Sequence, residues 1–247
     1  MIKHINNMTI CAKCSVYLYR ICINENRVPL HVHHLNCLNT KNGWLNDTVI
    51  NYALDMLKDK YNNTQMYISS TFFFTRLQQA AANASENYYE ILKKWFRKVH
   101  LFNKSLWLIP VFQKSHWFLM AVTSLQNKKH FSIVCMDSLG KDRTECLQLL
   151  EKFIARKYKD DRINGEWHPP KLLTAKIPRQ TNGNDCGLHL IRSAELLLSN
   201  KKKTIQLAMG KLDKEKTKKL FERVMIRNRQ QLKKDILEYT KSINKKQ

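Results

Sequence analysis

Apolar residues at helical spacing mark two helices in the first hundred residues. The first helix is predicted to begin at Asp47, and its apolar face is formed by Val49, Ile50, Ala53, Leu54 and Leu57. Asp47 suits the N-cap of this helix. The second helix is predicted over residues 85–99, from the alignment of Tyr88, Leu92, Trp95 and Val99. Before both helices, residues 15–23 and 28–32 have the composition of strands.

Three short apolar runs follow at residues 105–112, 117–123 and 131–136, separated by polar breaks. Each run is apolar almost throughout and does not alternate with polar residues, a pattern typical of strands that are buried on both faces of a sheet. We therefore expect these runs to form a central sheet.

The second half of the chain returns to helical spacing. Helices are predicted at residues 143–158 and 186–199, with a strand at residues 171–177, and residues 211–243 are predicted to form one or two basic amphipathic helices. This order predicts an α+β fold with a central mixed sheet flanked by helices. The domain is expected to cover residues 26–247, after an N-terminal extension of residues 1–25.

Composition adds a strong positive charge. The 247 residues include 43 Lys or Arg and 20 Asp or Glu, a formal charge of +23, and residues 201–246 hold 16 of the basic and 5 of the acidic residues. Such a field favours acidic partners, either an acidic protein face or a nucleic acid. A nucleic-acid contact through the basic C-terminal region is one expectation, although a lysine-rich codon bias would produce the same excess.

The cysteine count and the apolar runs bear on the compartment. No run approaches the ~20 apolar residues that a membrane span needs, and residues 1–10 lack the order of a secretory signal. Seven cysteines are an odd number, and a chain of this length needs no disulfide framework. We therefore expect reduced thiols and a location in the nucleus or the cytoplasm.

A group of cysteines and histidines near the N-terminus has spacings that could form a zinc site. Its members are Cys11, Cys14, Cys22, His31, His33, His34 and Cys37. Against zinc, a strand through residues 31–34 would send His31 and His33 to one face and His34 to the other. We therefore predict no metal and no cofactor.

The residues around Cys186 suit a nucleophilic thiol. Cys186 lies in GNDCGLHL, at a predicted transition from turn to helix. A helix N-terminus and a neighbouring imidazolium both stabilise a thiolate and lower its pKa from ~8.5. Acyl transfer then needs a base, a group that orients the base, and donors for the oxyanion.

Candidates for these three roles lie upstream. His116 begins one predicted strand, and Asp137 ends the next, so the two side chains can meet if the strands are antiparallel neighbours. His116 would be the base and then the acid, and Asp137 would orient its imidazole. Gln180, six residues before Cys186, can donate an amide N–H to the oxyanion. Asp185 is an alternative carboxylate, but its charge beside Cys186 would oppose the thiolate, and we expect it to cap the helix.

Several motifs occur in one order along the chain: GWLNDTVINY, STFFFTRL, KKWFRKVHLFNKSLWLIPVFQKSHWFLMAV, MDSLG, QTNGNDCGLHL and IRNRQQLKKDIL. Together they resemble the successive blocks of the Ulp1/sentrin-specific protease family, from about residue 28 to residue 236. The family consists of papain-like cysteine proteases that process SUMO and related ubiquitin-like modifiers. The resemblance departs from the family mainly at residues 1–25, which match none of its blocks, and no long regulatory extension is expected before the catalytic domain.

The resemblance implies a role for each motif. It assigns His116, Asp137 and Cys186 to a catalytic triad and Gln180 to the oxyanion hole. It also implies that Trp44 and Trp117 enclose the substrate's C-terminal Gly-Gly, and that Asp47 and Phe74 contact the surface of the modifier. Without the resemblance, both tryptophans would be ordinary core residues, and residues 72–74 would be partly core with one ring available to substrate.

Three functions remain open from the sequence. The first is a SUMO-cleaving isopeptidase that also matures SUMO precursors, which STFFFTRL and the following Lys/Trp-rich segment favour over cleavage of NEDD8. The second is a maturation protease of a virus or an intracellular parasite, for which the charge of +23 would suit a nucleic-acid cofactor. The third is a catalytically inactive binding module on the same fold.

Overall fold

A computed structural model describes residues 3–5, 8–10, 17–19, 30–62, 64–83, 88–224, 226 and 228–244. The strands are β1 (Lys3–Ile5), β2 (Met8–Ile10), β3 (Tyr17–Tyr19), β4 (Leu30–His31), β5 (Met66–Ile68), β6 (Leu106–Gln113), β7 (His116–Thr123), β8 (Ser132–Met136) and β9 (Lys171–Ala175). The α-helices are α1 (Asn36–Asn39), α2 (Asp47–Lys60), α3 (Phe72–Ala82), α4 (Tyr88–Lys93), α5 (Thr144–Asp160), α6 (Cys186–Ala208), α7 (Lys214–Glu222) and α8 (Arg229–Asn244). Short 3₁₀ helices cover Val32–Leu35, Lys94–Phe96 and Leu101–Asn103.

The central sheet is mixed, as predicted. Its five strands lie in the order β5-β6-β7-β8-β9, with β6, β7 and β8 antiparallel and the outer strands β5 and β9 parallel to their neighbours. All eight residues of β7 are buried, because this strand lies in the middle of the sheet and is covered on both faces. The three apolar runs are therefore the central strands, and the prediction for them is confirmed.

Two hydrophobic clusters cover the two faces of this sheet. Side chains of β7 alternate between them: Leu119 and Ala121 belong to one cluster, and Phe118 and Met120 to the other. The first cluster joins the sheet to α2, α6 and α8 through residues such as Ile50, Ile191 and Ile236. The second joins it to α3, α4 and α5 and is rich in aromatic rings. The fold is α+β, with helices on both sides of the sheet.

Several element boundaries differ from the sequence prediction. The helix from Asp47 is present, but its N-cap is Asn46, whose Oδ1 accepts a hydrogen bond from the N–H of Val49 at 2.9 Å. The predicted helix over residues 85–99 ends as an α-helix at Lys93, and residues 84–87 lie outside the described residues. Helix α6 continues to Ala208, nine residues beyond the predicted end, across a kink at Asn200.

The N-terminal strands form a separate antiparallel sheet in the order β1-β2-β3-β4. The predicted strand over residues 15–23 is present at Tyr17–Tyr19, and its remaining residues lie outside the described part of the chain. The predicted strand at residues 28–32 is confirmed for Leu30–His31 and ends there, because a 3₁₀ helix begins at Val32, whereas residues 28–29 lie outside the described residues. Within the described residues, no helix is both long enough and apolar enough to cross a membrane.

Candidate active site

His116 is held at the start of β7 by a tight hairpin. Strands β6 and β7 are joined by Lys114 and Ser115, whose φ angles are +49° and +57°, and Gln113 pairs with His116 across the turn. Two left-handed residues in a two-residue turn match the right-handed twist of the flanking strands. The turn therefore fixes where the imidazole enters the site.

Asp137 meets His116 because it directly follows the neighbouring antiparallel strand β8. Its Oδ1 lies 2.7 Å from His116 Nε2 and also accepts the N–H of Leu139 at 2.8 Å. The predicted meeting of these two side chains is confirmed. Since Nε2 faces the carboxylate, Nδ1 is the ring nitrogen left for the thiol.

Cys186 is the first residue of α6, where the helix dipole is positive. Burial by itself raises the pKa of its thiol, but a hydrogen bond with His116 and the N–H groups of Trp117 and Gly187 outweigh burial, and the pKa lies below that of an ordinary thiol. Its sulfur is thus stabilised as a thiolate by one side chain and two backbone amides. Cys186 is one of four free cysteines among the described residues, with Cys37, Cys135 and Cys146.

The pKa values of the other two candidate triad residues, His116 and Asp137, shift in a matching way. Burial lowers the pKa of His116, but its hydrogen bonds to Asp137 and Cys186 prevail and the pKa is raised above 6.5. Burial raises the pKa of Asp137, but bonds from His116, the Leu139 N–H and Arg143 lower it to about 2. A raised imidazole pKa beside a lowered thiol pKa favours a thiolate–imidazolium pair.

Gln180 lies in the loop before α6, and its amide orientation follows from its partners. Nε2 lies 2.6 Å from the carbonyl oxygen of Asn182, which can only accept, so the nitrogen must point there. Oε1 consequently accepts from the hydroxyl of Ser138 at 2.7 Å. One N–H of this amide is thus bonded to Asn182, and the second N–H remains for another acceptor. The N–H of Cys186, as a first-turn amide, has no acceptor within its own helix.

Asp185 does not compete with Asp137 for the imidazole, and it does not cap α6 as predicted. It occupies the N-cap position, but its side chain makes no capping bond. Its carboxylate instead pairs with Arg229 Nε at 2.7 Å and accepts from Asn182 Nδ2 at 2.7 Å. The same guanidinium donates to the carbonyl oxygens of Asn184 and Cys37, so α8 fixes the loop in front of the nucleophile.

A groove of about 440 Å³ lies next to Trp117, whose backbone N–H faces Cys186. Its lining consists of Trp44, Leu45, Asn46, Asp47, Thr71, Phe72, Thr75, Phe112 and Trp117. Trp117 connects it to the thiol, because its ring lines the groove while its backbone N–H donates to Cys186. Leu45 contacts both Trp117 and the first turn of α6. Its carbonyl oxygen accepts a hydrogen bond from Trp117 Nε1 at 2.9 Å. Its side chain packs so closely on Gly187 that a Cβ at that position would lie 2.9 Å away.

The predicted contact residues divide between this groove and the core. Trp44 is 49% exposed, Asp47 is half-buried, and both line the groove together with the largely buried Trp117.

The expectation for Phe74 is wrong, because its ring is 0% exposed within the aromatic cluster. Phe72, 58% exposed, supplies the available ring instead. The apolar spacing of Phe73, Leu77 and Ala80 along α3 leaves Phe72 off the buried face and could have identified it.

Three polar residues that hold the site were not predicted from the sequence. Arg143 bonds to Asp137, Ser138 bonds to Gln180, and Arg229 bonds to Asp185. Ser138 belongs to the MDSLG motif, which was a signal for it. Arg143 and Arg229 had no local signal, because a pairing between distant residues is not visible in hydrophobic spacing.

The three histidines near the N-terminus are not all arranged on one strand, as was predicted in excluding zinc. His31, His33 and His34 do not alternate across a strand; the 3₁₀ helix brings the three rings together, with centroids 4.2 to 5.3 Å apart. Among the described residues, no group of three or more His, Cys, Asp or Glu side chains is arranged to hold a metal ion. Cys11, Cys14 and Cys22 lie outside those residues, so the absence of a metal stays a prediction.

Comparison with known proteins identifies relatives of this chain. The model of the Ulp1 protease family, C-terminal catalytic domain, matches residues 43–242. Sentrin-specific protease 2 of Homo sapiens is 28% identical over 165 residues, which are 64% of this chain and 26% of the human protein. A sentrin-specific protease of Caenorhabditis elegans is 33% identical over 152 residues, 59% of this chain and 20% of the worm protein. The chain thus matches about a quarter or less of the length of these curated relatives.

Solved structures show the same fold. The crystal structure of a de-sumoylating protease has a TM-score of 0.75 at 23% identity and covers 93% of this chain and 95% of its own. The C-terminal Ulp1 protease domain in complex with SMT3, the yeast ortholog of SUMO, has a TM-score of 0.55 at 19% identity, covering 87% of each chain. Since the family model covers most of the sequence, this chain belongs to the Ulp1 protease family.

Proposed function

We propose that this protein is a thiol protease that cleaves after the C-terminal Gly-Gly of SUMO or a related ubiquitin-like modifier. It would both mature precursors and release the modifier from conjugates. The observation that carries the proposal is the Cys186–His116–Asp137 arrangement beside a groove that Trp44 and Trp117 line. Membership of the Ulp1 protease family supports the same activity.

The reaction begins with the Cys186 thiolate, which attacks the carbonyl carbon of the terminal glycine. The developing oxyanion accepts the backbone N–H of Cys186 and an N–H of Gln180 Nε2. His116 then gives its proton to the leaving amine, and a thioester remains on Cys186. Water, deprotonated by His116, hydrolyses the thioester and restores the thiolate.

The groove explains why glycine would be required. Trp117 reaches the sulfur through its own backbone amide, so a chain that enters along its ring arrives at the nucleophile. Trp44 lines the same groove, and a passage bordered by two indoles admits residues without side chains most easily. Asp47 and Phe72 lie at the same groove and would contact the body of the modifier.

The remaining expectations belong to this proposal. The catalytic domain would cover residues 26–247 after an extension of residues 1–25, and the protein would act in the nucleus or the cytoplasm. The basic C-terminal region would contact nucleic acid. Several of its lysines already pair with acids one turn away, such as Lys219 with Glu215 and Lys218 with Glu222, so only part of its charge is available to such a partner.

The direct test is cleavage of a SUMO precursor and of a SUMO–lysine isopeptide conjugate. We expect both to be cleaved after Gly-Gly. A precursor in which Gly-Ala replaces Gly-Gly at the cleavage site should be cleaved at least about tenfold more slowly. Cys186→Ala should retain binding of the modifier without turnover. Cleavage of the Gly-Ala precursor at the normal rate would contradict the role of the groove, and turnover by Cys186→Ala would contradict the nucleophile.

A further inference from the structure

We infer that Arg143 is a positioning residue of the catalytic centre that acts on His116 through Asp137. This inference rests on the proposed function, because it concerns the same triad. Arg143 is 6% exposed, and its Nε donates to Asp137 Oδ2 at 2.8 Å. Asp137 Oδ1 is the oxygen that faces His116. Arg143 therefore holds the oxygen that the imidazole does not use.

The other contacts of Arg143 fix its own position. Its Nη1 donates to Gln113 Oε1 at 2.7 Å, and its guanidinium carbon lies 4.2 Å from the centre of the Phe118 ring. Gln113 ends β6, Phe118 lies in β7, and Asp137 follows β8. One side chain thus connects the three strands whose ends form the site.

The location of Arg143 is unfavourable for helix α5. It occupies the N-cap position of that helix and makes no capping bond there. A cation at a helix N-terminus is opposed by the helix dipole, and arginine is not a preferred N-cap residue. A buried guanidinium also has to be compensated by partners. Its compensation comes from Asp137, which indicates that the pairing with the triad is the reason for this placement.

The consequence is control of the carboxylate's direction and charge. With Oδ2 held by Arg143 and Oδ1 held by the Leu139 N–H, the carboxylate cannot rotate away from the imidazole. The guanidinium also favours the ionised form of Asp137. Without Arg143, the imidazolium loses its fixed partner and the Cys186 thiolate loses part of its stabilisation.

A double-mutant cycle separates positioning from a general structural role. We expect Arg143→Gln to lower kcat about tenfold with KM changed less than about twofold, and Arg143→Lys to recover part of kcat. In an Asp137→Asn background, Arg143→Gln should cost no further activity, because the group through which it acts is already gone. The inference would be overturned if the loss of kcat in the double variant equalled the product of the two single losses, or if Arg143→Gln had the wild-type kcat.

Alkylation of Cys186 by iodoacetamide gives a second measurement that needs no modifier. In Arg143→Gln, the pH of half-maximal alkylation should rise by about one unit, and in Gln113→Ala, which removes one support of Arg143, by a smaller amount. If no modifier is cleaved but this shift occurs, the proposed substrate fails and the role of Arg143 stands. An unchanged midpoint in a variant with wild-type thermal unfolding would overturn that role.

Discussion

The reactivity of Cys186 should differ from that of the other described cysteines. Its thiol pKa is lowered, whereas burial raises the pKa of Cys37, Cys135 and Cys146. We expect iodoacetamide at about pH 6 to modify Cys186 first, because the thiolate is the reactive form. Peptide mapping by mass spectrometry measures the order of modification.

His116 supplies the control for this prediction. In His116→Ala, the thiol loses its main hydrogen-bond partner, and alkylation of Cys186 should require a higher pH.

The pH dependence of activity follows from the same pair. In the native protein, activity should fall at low pH as the thiolate is protonated, and at high pH as the imidazolium, whose pKa is raised, loses its proton. Preferential modification of Cys37 at pH 6 would contradict this account.

Phe72 and Phe74 form a matched pair for substrate contact, since they are the same residue type two positions apart. Phe72→Ala removes a 58% exposed ring at the groove and should raise KM about tenfold, with unfolding changed by less than about 0.5 kcal/mol. Phe74→Ala removes a buried ring and should lower the free energy of unfolding by about 3–5 kcal/mol. Steady-state kinetics and urea unfolding measure both; an unchanged KM in Phe72→Ala would exclude Phe72 from the modifier's surface.

At the residue scale, the sequence predicted which side chains of the triad meet better than it predicted the contacts around them. The positions of His116 and Asp137 followed from strand order, because antiparallel neighbours bring a start and an end together. The choice between Phe72 and Phe74 needed the orientation of α3, and the partners of Asp137 and Asp185 are set by residues brought together only in the folded chain. Asn46, not Asp47, caps α2, because the segment enters the helix one residue earlier.

At the scale of elements, the β6–β7 hairpin positions His116, the proposed base. Its turn residues Lys114 and Ser115 both have positive φ, which costs about 1 kcal/mol or more for residues with a Cβ. Replacing them with Asn-Gly, the residues that this turn type prefers, should raise the free energy of unfolding by about 1 kcal/mol. Urea denaturation measures the change.

The same variant tests the position of His116. The substitution leaves the backbone path of the turn unchanged, so kcat/KM should stay within about twofold. Ser124 also has a positive φ but lies outside the hairpin turn. As a control, Ser124→Gly should raise the free energy of unfolding by a similar amount. A less stable Asn-Gly variant would mean that the turn is not of the type described.

Long elements with strong periodicity were predictable, whereas two short ones, β5 and α3, were not. Strands β6 to β8 are continuous apolar runs, and α5 and α8 have clear helical spacing. Strand β5 has three residues, too few for a period, and α3 follows it so closely that STFFFTRL was recognised only as a motif. Helix α6 passes its predicted end because Thr204 and Leu207 pack in the core beyond the kink at Asn200.

At the scale of the whole molecule, Glu195 joins three parts of the chain around α6. Its fully buried carboxylate accepts from Lys60 Nζ at 3.1 Å, the Tyr61 hydroxyl at 3.2 Å and the Ile226 N–H at 3.1 Å. Glu195→Ala should lower the free energy of unfolding by about 3 kcal/mol, because the buried Ile226 N–H loses this acceptor and the bonds from Lys60 and Tyr61 to α6 are removed. Urea denaturation measures the loss.

An exposed ion pair provides the matched control. Glu222→Ala removes the partner of Lys218 on α7, where both side chains are largely exposed, and should change stability by less than about 0.5 kcal/mol. Equal losses in the two variants would show that Glu195 is not a buried link between α6, α2 and the segment before α8.

The fold class was predicted from the order of elements and motifs along the chain. The packing of α8 against the start of α6 was not, because Arg229 reaches Asp185 and Asn184 across more than forty positions of sequence. The formal charge of +23 says nothing about this arrangement, since charge affects encounter with partners more than fold.

The most direct measurement is labelling with SUMO and NEDD8 that carry a C-terminal vinyl sulfone, followed by tryptic mapping of the adduct. The account predicts a SUMO adduct on Cys186, no adduct in Cys186→Ala and a much slower one in His116→Ala. Labelling of NEDD8 alone would contradict the SUMO assignment. An adduct on another cysteine, with Cys186 unmodified, would contradict the catalytic centre itself.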